Sequence, residues 1–302
     1  MTEVIELRNK NLSCRIAPAL GGAVLGLDMT RKGEIYHVLQ PTPEAALTGG
    51  DPRAFSLTHC LPFGGPLRGN TLKWDTKVYP LQPALPGLPI VEDGIGWARP
   101  WVGKKDGKFS VSLKLVHKAD ETWPFDFVAT IVYDLEEDNL VVSYEISYEG
   151  RNGTMPIGLG TRLRFPQRRD TVLTANVKTI WAMDAAGVPL TAKEIPFNLA
   201  LKEGQDLQKL VAAHWFSDWT GKAMIDYATT KMSIAVKGQE GFTHIGAFSN
   251  PDGEVFTLFP LTHVPGMTDI KGHDEDETGL RWLGPGESFS AQLKVDVDMS
   301  LY

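Results

Sequence analysis

Short stretches in which apolar and polar residues alternate recur along the whole chain, and they constrain its fold more than any other feature. The clearest stretch is 109–117, which reads Phe-Ser-Val-Ser-Leu-Lys-Leu-Val-His. A period of two is typical of a β-strand with one face in the core and one in water. No long window shows the i, i+3, i+4, i+7 stripe of an amphipathic helix. The pattern predicts a mostly β chain.

Further strand-like runs predict a large antiparallel β-sandwich. Residues 125–135 and 140–148 flank Glu136-Glu137-Asp138-Asn139, a sequence that favours a hairpin turn. The other predicted strands are 3–7, 12–16, 23–29, 171–180, 223–227, 232–236, 255–260 and 289–297. Two short segments, 43–47 and 206–213, are the best helical candidates. The 30 glycines and 20 prolines are consistent with the many turns that such a fold needs.

The chain shows no internal repeat, low-complexity segment or linker, so we expect residues 1–302 to form a single domain. A chain of this length can bury a core without covalent cross-links. The two cysteines, Cys14 and Cys60, form no C-x-x-C motif, which excludes a disulfide scaffold and a zinc ribbon.

Charge and hydropathy exclude several classes of partner. Lys and Arg number 30 against 37 Asp and Glu, and the formal charge of −7 argues against a protein that binds nucleic acid by neutralising phosphates. We see no apolar run long enough to span a membrane and no signal peptide, so a cytoplasmic protein is expected. A monomer and a homodimer are both compatible with the sequence.

One acidic run is a candidate cation site. His273-Asp274-Glu275-Asp276-Glu277 offers carboxylates that could bind a hard cation, but a solvated loop is the favoured interpretation. We therefore predict neither a metal nor another cofactor.

Four segments carry a more specific signal. They are Leu61-Pro-Phe-Gly-Gly-Pro-Leu-Arg-Gly-Asn70, Asp93-Gly-Ile-Gly-Trp-Ala-Arg-Pro-Trp101, Met155-Pro-Ile-Gly-Leu-Gly-Thr-Arg-Leu-Arg-Phe165 and Phe256-Thr-Leu-Phe-Pro-Leu-Thr-His263. In order and spacing they resemble motifs of the aldose 1-epimerase (galactose mutarotase) superfamily. The stretches 123–127 and 283–287 add to this resemblance. It implies a β supersandwich with a sugar-binding cleft on one concave face, and an activity that interconverts sugar anomers.

The chain departs from this family where the chemistry is expected. Opening a pyranose ring needs a base for the anomeric hydroxyl and an acid for the ring oxygen. The resemblance implies a Glu and a His in these roles, with a second His and an Arg that bind the sugar. Phe259 stands at the position of the Glu, Asp93 and Arg162 at those of the histidines, and Pro66 at that of the Arg. A phenyl ring accepts no proton, and a guanidinium does not give one up.

Asp93 and His263 are the candidates for a relocated base and acid. Burial of Asp93 near tryptophans could raise its pKa towards neutrality. The alternative is that Asp93 pairs with Arg99 or Arg162 and that the histidines are hydrogen-bonded bystanders. Glu92 and Glu254 are further carboxylates that could reach the cleft.

Several other residues are candidates for binding the substrate. Arginines favour a carboxylate or phosphate because their N–H groups can bind it in pairs. Trp101 could stack on a sugar face, and Ala213 or His214 takes the position of a family Asp that binds sugar hydroxyls. The predicted binding residues are Arg68, Arg99, Trp101, Arg162, Arg164, His59, His214 and Phe259.

The sequence thus favours a carbohydrate isomerase that acts on a modified or acidic sugar. Two alternatives remain open at this stage. One is a non-catalytic sugar-binding protein on the same scaffold, and the other is a sugar lyase or hydrolase that uses Asp93 and His263. A small carbohydrate is the expected partner in each case.

Overall fold

A computed structural model describes residues 3–49, 51–74, 76–239, 241–270 and 275–299. Most of its regular structure is β. The strands are β1 Ile5–Arg8, β2 Leu12–Ala17, β3 Ala23–Arg31, β4 Glu34–His37, β5 Leu57–Cys60, β6 Thr71–Trp74, β7 Lys77–Pro80, β8 Val102–Lys105, β9 Ser110–His117, β10 Phe127–Leu135, β11 Asn139–Tyr148, β12 Met155–Ile157, β13 Gly160–Pro166, β14 Thr171–Ala175, β15 Thr179–Met183, β16 Pro189–Glu194, β17 Gln205–Asp206, β18 Ala212–Ser217, β19 Lys222–Tyr227, β20 Met232–Gln239, β21 His244–Ser249, β22 Val255–Leu261, β23 Arg281–Leu283 and β24 Ser288–Asp298.

Helices are few and short. The α-helices are α1 Glu44–Leu47 and α2 Glu275–Thr278, and the 3-10 turns are Pro52–Ala54, Arg68–Asn70, Gly96–Ala98, Phe197–Leu199, Leu201–Glu203 and Met267–Asp269. In the part of the chain that the structure describes, no helix is both long enough and apolar enough to cross a membrane.

Two large antiparallel sheets confirm the predicted β architecture. Eleven strands form the first, in the order β1-β2-β3-β5-β13-β22-β21-β18-β15-β16 with β4 paired to β3. Nine strands form the second, in the order β17-β14-β19-β20-β24-β11-β10-β9-β8. The pairs β6–β7 and β12–β23 stand apart from both sheets.

The alternating sequence explains which faces are buried. Along β10, every second residue from Phe127 to Leu135 is buried and those between are half-buried. Fully burying one such large apolar side chain contributes about 1.5–3 kcal/mol. The predicted turn after Leu135 is a hairpin in which Leu135 pairs with Leu140 and the Glu136 N–H bonds the Asn139 carbonyl at 2.9 Å.

Two sequence-based expectations for secondary structure are wrong. The segment 206–213 is not helical: the Asp206 carboxylate accepts the Gln208 N–H at 2.9 Å and forms a turn, and β18 follows. The run 171–180 is not one strand, because β14 belongs to the nine-stranded sheet and β15 to the eleven-stranded sheet. Alternation cannot show where a chain changes sheets.

A network of buried hydrogen bonds crosses the core between the two large sheets. Tyr133 donates its hydroxyl to the Gly22 carbonyl at 2.5 Å and contacts His59 Nε2, while Tyr144 bonds His59 Nδ1 at 2.8 Å and the Thr161 hydroxyl at 2.7 Å. Burial lowers the pKa of His59 to about 3, so the ring is neutral. Because Tyr133 gives its only hydroxyl hydrogen to Gly22, it accepts from His59 Nε2–H. The other ring nitrogen, Nδ1, then carries no proton and accepts from the Tyr144 hydroxyl.

Candidate functional site

A cavity of about 410 Å³ lies at the outer face of the eleven-stranded sheet, and it is the candidate functional site. Concave sites that combine apolar walls with a few polar groups are typical of small-ligand binding. The lining residues are Arg53, Gly65, Pro66, Ile90, Glu92, Asp93, Arg162, Met183, Ala186, Gly187, Ala213, Trp215, Phe248, Thr257 and Phe259.

Strand alternation delivers several of these side chains to the cavity. In β13, Leu163 and Phe165 are fully buried. Arg162 has buried neighbours on both sides in sequence, but it is itself only partly buried and lines the cavity. In β22, Thr257 and Phe259 line the cavity and the intervening Leu258 is buried in the main core. Since successive side chains in a strand point to opposite faces, these two strands present one face to the cavity.

Aromatic rings form an apolar patch in the cavity wall. Trp215 meets Phe259 edge-on with ring centroids 5.3 Å apart, and it meets Phe248 in the same way at 4.9 Å. The indole N–H of Trp215 donates to the Gly187 carbonyl at 3.1 Å. These contacts fix the indole within the patch.

Asp93 and Arg162 form a buried ion pair beside this patch. Arg162 Nη2 donates to Asp93 Oδ2 at 2.5 Å, and its guanidinium lies over the Phe259 ring at 5.4 Å from the centroid. The Gly65 N–H donates to Asp93 Oδ1 at 2.8 Å. Burial has the largest single effect and lowers the pKa of Arg162, but the charge of Asp93 together with those of other nearby acidic groups outweighs it, and the pKa is raised overall.

The backbone around Asp93 needs two unusual conformations. Asp93 has a φ of 61°, a left-handed value that Asp and Asn tolerate better than most residues. Gly65 has a φ of 77°, and a Cβ there would meet the Pro265 side chain at 2.5 Å. Gly65 thus lets its own N–H reach the carboxylate.

Glu92 is a second carboxylate in the cavity wall. Arg53 Nη1 donates to its Oε1 at 3.0 Å, and the same guanidinium pairs with Asp51. Desolvation raises the pKa of Glu92 and the charge of Asp93 raises it further, while Arg162 and Arg53 act in the opposite direction. The net pKa of Glu92 lies above its ordinary value. Arg53 gave no signal in the sequence, since it belongs to none of the four motifs.

His263, the predicted partner of Asp93, is fully buried outside the cavity lining. Its Nε2 accepts the Gly64 N–H at 3.3 Å, so it holds the amide next to the one that Asp93 holds. Burial lowers its pKa to about 3, and its Nδ1 has no partner among the described residues. The structure links Asp93 and His263 through two consecutive amides but opens only Asp93 to the cavity.

Among the predicted substrate-binding residues with aromatic side chains, Phe259 lines the cavity and the others do not. His59 is in the core, and Trp101 is buried with its N–H on the Gly96 carbonyl at 2.9 Å. His214 follows Ala213 in β18, and Ala213 is the one of the two that lines the cavity. The pKa of His214 is lowered by desolvation.

The remaining predicted arginines have protein partners outside the cavity lining. Arg68 pairs with Asp184 and Asp269, which ties the Arg68–Asn70 turn to the loop after β15. Arg99 donates to the Ala84 carbonyl at 3.2 Å and the Thr122 hydroxyl at 3.0 Å. Arg164 donates to the Ala54 carbonyl.

The described residues contain no group of three or more His, Cys, Asp or Glu side chains that could hold a metal ion. The acidic run 273–277 is the candidate cation site of the sequence analysis. Its residues 273 and 274 and the side chain of residue 275 lie outside the described part of the chain.

Comparisons with known proteins concern the family and the fold of the chain. A family profile described as aldose 1-epimerase matches residues 3–295. The uncharacterized protein YphB of Escherichia coli K12 is 23% identical over 247 residues, which are 79% of this chain and 82% of YphB.

Solved structures share the fold at low sequence identity. A putative aldose 1-epimerase from Escherichia coli K12 superposes with a TM-score of 0.86 at 20% identity, covering 99% of both chains. A galactose mutarotase-like protein from Clostridium acetobutylicum gives a TM-score of 0.85 at 17% identity, covering 98% of this chain and 95% of its own. A GalM/aldose epimerase homologue from C. elegans gives 0.81 at 12% identity, covering 99% of both.

Proposed function

The chain belongs to the aldose 1-epimerase family, and from that premise we propose that it binds a sugar with an anionic group in this cavity and interconverts the anomers of that sugar. Because one fold can host several activities, the evidence for both the substrate class and the reaction lies in the cavity.

The arrangement of Arg162 over Phe259 is the observation that carries the proposal. Arg162 uses Nη2 for Asp93, and its Nε and Nη1 make no hydrogen bond with any described residue. Two donors on one planar group suit a carboxylate or phosphate. The neighbouring Trp215 and Phe248 offer an apolar surface against which the C–H face of a pyranose could pack.

A non-catalytic sugar-binding protein is the second candidate. Phe259 and the Asp93–Arg162 pair occupy the positions at which the family resemblance implies the glutamate and the two histidines. The guanidinium of Arg162 gives up no proton, and Phe259 offers no proton-transfer group. Such an arrangement would suit the binding of a sugar whether or not the reaction is retained.

Anomer exchange measured by NMR separates the two candidates. The full chain is added to freshly dissolved single anomers of galactose, glucose, galacturonate and glucose 6-phosphate, and the approach to equilibrium is followed against buffer. Acceleration for the two anionic sugars above the neutral ones supports the proposal. Acceleration for neutral sugars alone contradicts the substrate class and supports only the reaction.

Binding is followed in parallel through tryptophan fluorescence. A Trp215→Phe variant serves as the control, since it shows whether the signal comes from the cavity. Saturable binding without any acceleration favours the non-catalytic alternative. If the protein neither binds nor accelerates any of these sugars, both candidates are contradicted for these sugars.

A further inference from the structure

We propose that Glu92 is the proton-accepting catalytic residue of this cavity, a role that the motif resemblance assigns to the position of Phe259. The inference rests on the proposed function and deepens it. Glu92 lies in the loop between β7 and β8, close in sequence to Asp93 but separate from β22. Its side chain lines the cavity and is 16% exposed.

The two oxygens of Glu92 stand in different environments. Oε1 accepts the 3.0 Å hydrogen bond from Arg53, which fixes the orientation of the carboxylate. Oε2 makes no hydrogen bond with any described residue. A base needs one oxygen that is free for the substrate and a side chain that is held in place. Glu92 meets both requirements.

Asp93 is less suited to the same role. Its Oδ1 accepts the Gly65 N–H and its Oδ2 accepts Arg162, and the residue is only 3% exposed. Taking a proton would cost the ion pair with Arg162. Asp93 acts instead on its neighbour, because its negative charge makes a second ionised carboxylate less favourable.

Desolvation and the neighbouring charges together make Glu92 a stronger base than an ordinary glutamate. Desolvation has the largest effect and raises the pKa of Glu92, the charge of Asp93 raises it further, and Arg162 and Arg53 lower it. The thiol of Cys60 is also nearby, but burial raises its pKa so that it stays protonated. A base whose pKa lies closer to the working pH transfers protons more effectively.

In the proposed reaction, water from the open side of the cavity supplies the proton that the ring oxygen needs. Glu92 Oε2 removes the proton of the anomeric hydroxyl, the oxygen forms a C1=O double bond, and the bond from C1 to the ring oxygen breaks. The ring oxygen takes a proton from water, and the resulting hydroxide is neutralised by the proton that Glu92 holds. Rotation about C1–C2 and the reverse steps give the other anomer.

The test compares Glu92→Gln with wild type and with Glu254→Gln. Gln keeps the size of the side chain and an oxygen that can accept from Arg53. Glu254 is exposed and lies outside the cavity lining, so it is the matched control. For whichever of the four sugars wild type accelerates, we expect Glu92→Gln to lose at least about 100-fold in kcat. Its Kd from fluorescence should stay within about twofold, and Glu254→Gln should match wild type.

The pH profile adds a second readout. In wild type, kcat should rise with pH through one ionisation that lies above 4.5, the ordinary value for this carboxyl, and the rise should be absent from any residual rate of Glu92→Gln. A Glu92→Gln protein that binds and keeps a rate within about fivefold of wild type overturns this inference while leaving the proposed function intact. If wild type binds but accelerates none of the four sugars, the proposed function fails and the inference fails with it.

Discussion

The carboxylate of Asp93 and the guanidinium of Arg162 form an ion pair at two positions where the family resemblance implies histidines. The contact is 2.5 Å, and the two side chains are 5% and 16% exposed. Because the two charged residues replace the two expected histidines together, the cavity wall keeps a matched polar pair. The pair supports the wall and leaves Nε and Nη1 of Arg162 without a hydrogen bond to any described residue.

Asp93→Asn should destabilise the fold by about 3–5 kcal/mol, because it leaves a buried guanidinium without its counter-charge. Asn accepts the left-handed φ of 61° at least as well as Asp, so backbone strain does not explain the loss. Urea denaturation measures the change. In the double variant Asp93→Asn with Arg162→Gln, the loss should be smaller than the sum of the two single losses. Additive losses would show that the pair contributes no coupling.

Arg162→Lys should weaken the preference for anionic sugars. Lys keeps the positive charge for Asp93 but loses the planar pair of donors. We expect the ratio of galacturonate to galactose affinity to fall about tenfold, measured by calorimetry. Arg99→Lys is the matched control, since Arg99 bonds Ala84 and Thr122 outside the cavity lining. An equal fall in both variants would contradict a specific role for Arg162.

Arg53→Gln should move the pH profile of catalysis towards higher pH. Arg53 lowers the pKa of Glu92 through its hydrogen bond and its charge, so removing the guanidinium raises that pKa further. The base form of Glu92 then appears only at higher pH, and kcat at pH 6 should fall more than kcat at pH 8. A uniform loss at all pH values would indicate that Arg53 acts on binding or folding instead.

Glu92→Gln should stabilise the fold at neutral pH even though it is expected to lower kcat by at least about 100-fold. The pKa of Glu92 is raised in the folded protein, so ionisation of this group destabilises the fold. The loss is present when the pH lies above the pKa of Glu92 in the unfolded chain, and it disappears in acid. The melting temperature of Glu92→Gln should therefore exceed that of wild type at pH 7.5 and approach it near pH 4. A lower melting temperature at pH 7.5 would mean that the charge attraction between Glu92 and Arg53 outweighs desolvation.

Alternation in the sequence was enough to predict the β architecture, but it could not assemble the cavity. Phe259 and Arg162 belong to recognisable motifs, and strand periodicity places both at the same face. Arg53 follows Pro52 in a short 3-10 turn and reaches Glu92 across 39 positions of sequence. No local pattern encodes that contact. Likewise His263 has a motif position close to Phe259, but its side chain is enclosed behind Gly64, a consequence of packing that spacing does not reveal.

Tyr144→Phe should cost more stability than Tyr133→Phe. Without the Tyr144 hydroxyl, His59 Nδ1 and the Thr161 hydroxyl both lose a partner in the core. Without the Tyr133 hydroxyl, His59 Nε2–H still has the Gly22 carbonyl at 3.3 Å. A buried polar group without a partner costs about 1–3 kcal/mol. Paired denaturation curves at pH 7 test the order, and a larger loss for Tyr133→Phe would contradict the assigned direction of the hydrogen bonds.

Three of the buried histidines, His59, His244 and His263, should make the protein increasingly unstable as the pH falls below about 6.5. Burial lowers the pKa of His59 and His263 to about 3 and that of His244 to about 4, while the unfolded chain takes up protons near 6.5. The unfolded state therefore binds more protons between these limits, and each histidine contributes a slope of about 1.4 kcal/mol per pH unit to the free energy of unfolding. His263→Gln should reduce that slope between pH 4.5 and 6 by about one such contribution. His37→Gln is the control, because His37 lies at the surface beside Asp28. An unchanged slope in His263→Gln would show that His263 takes up its proton without unfolding, contrary to its complete burial.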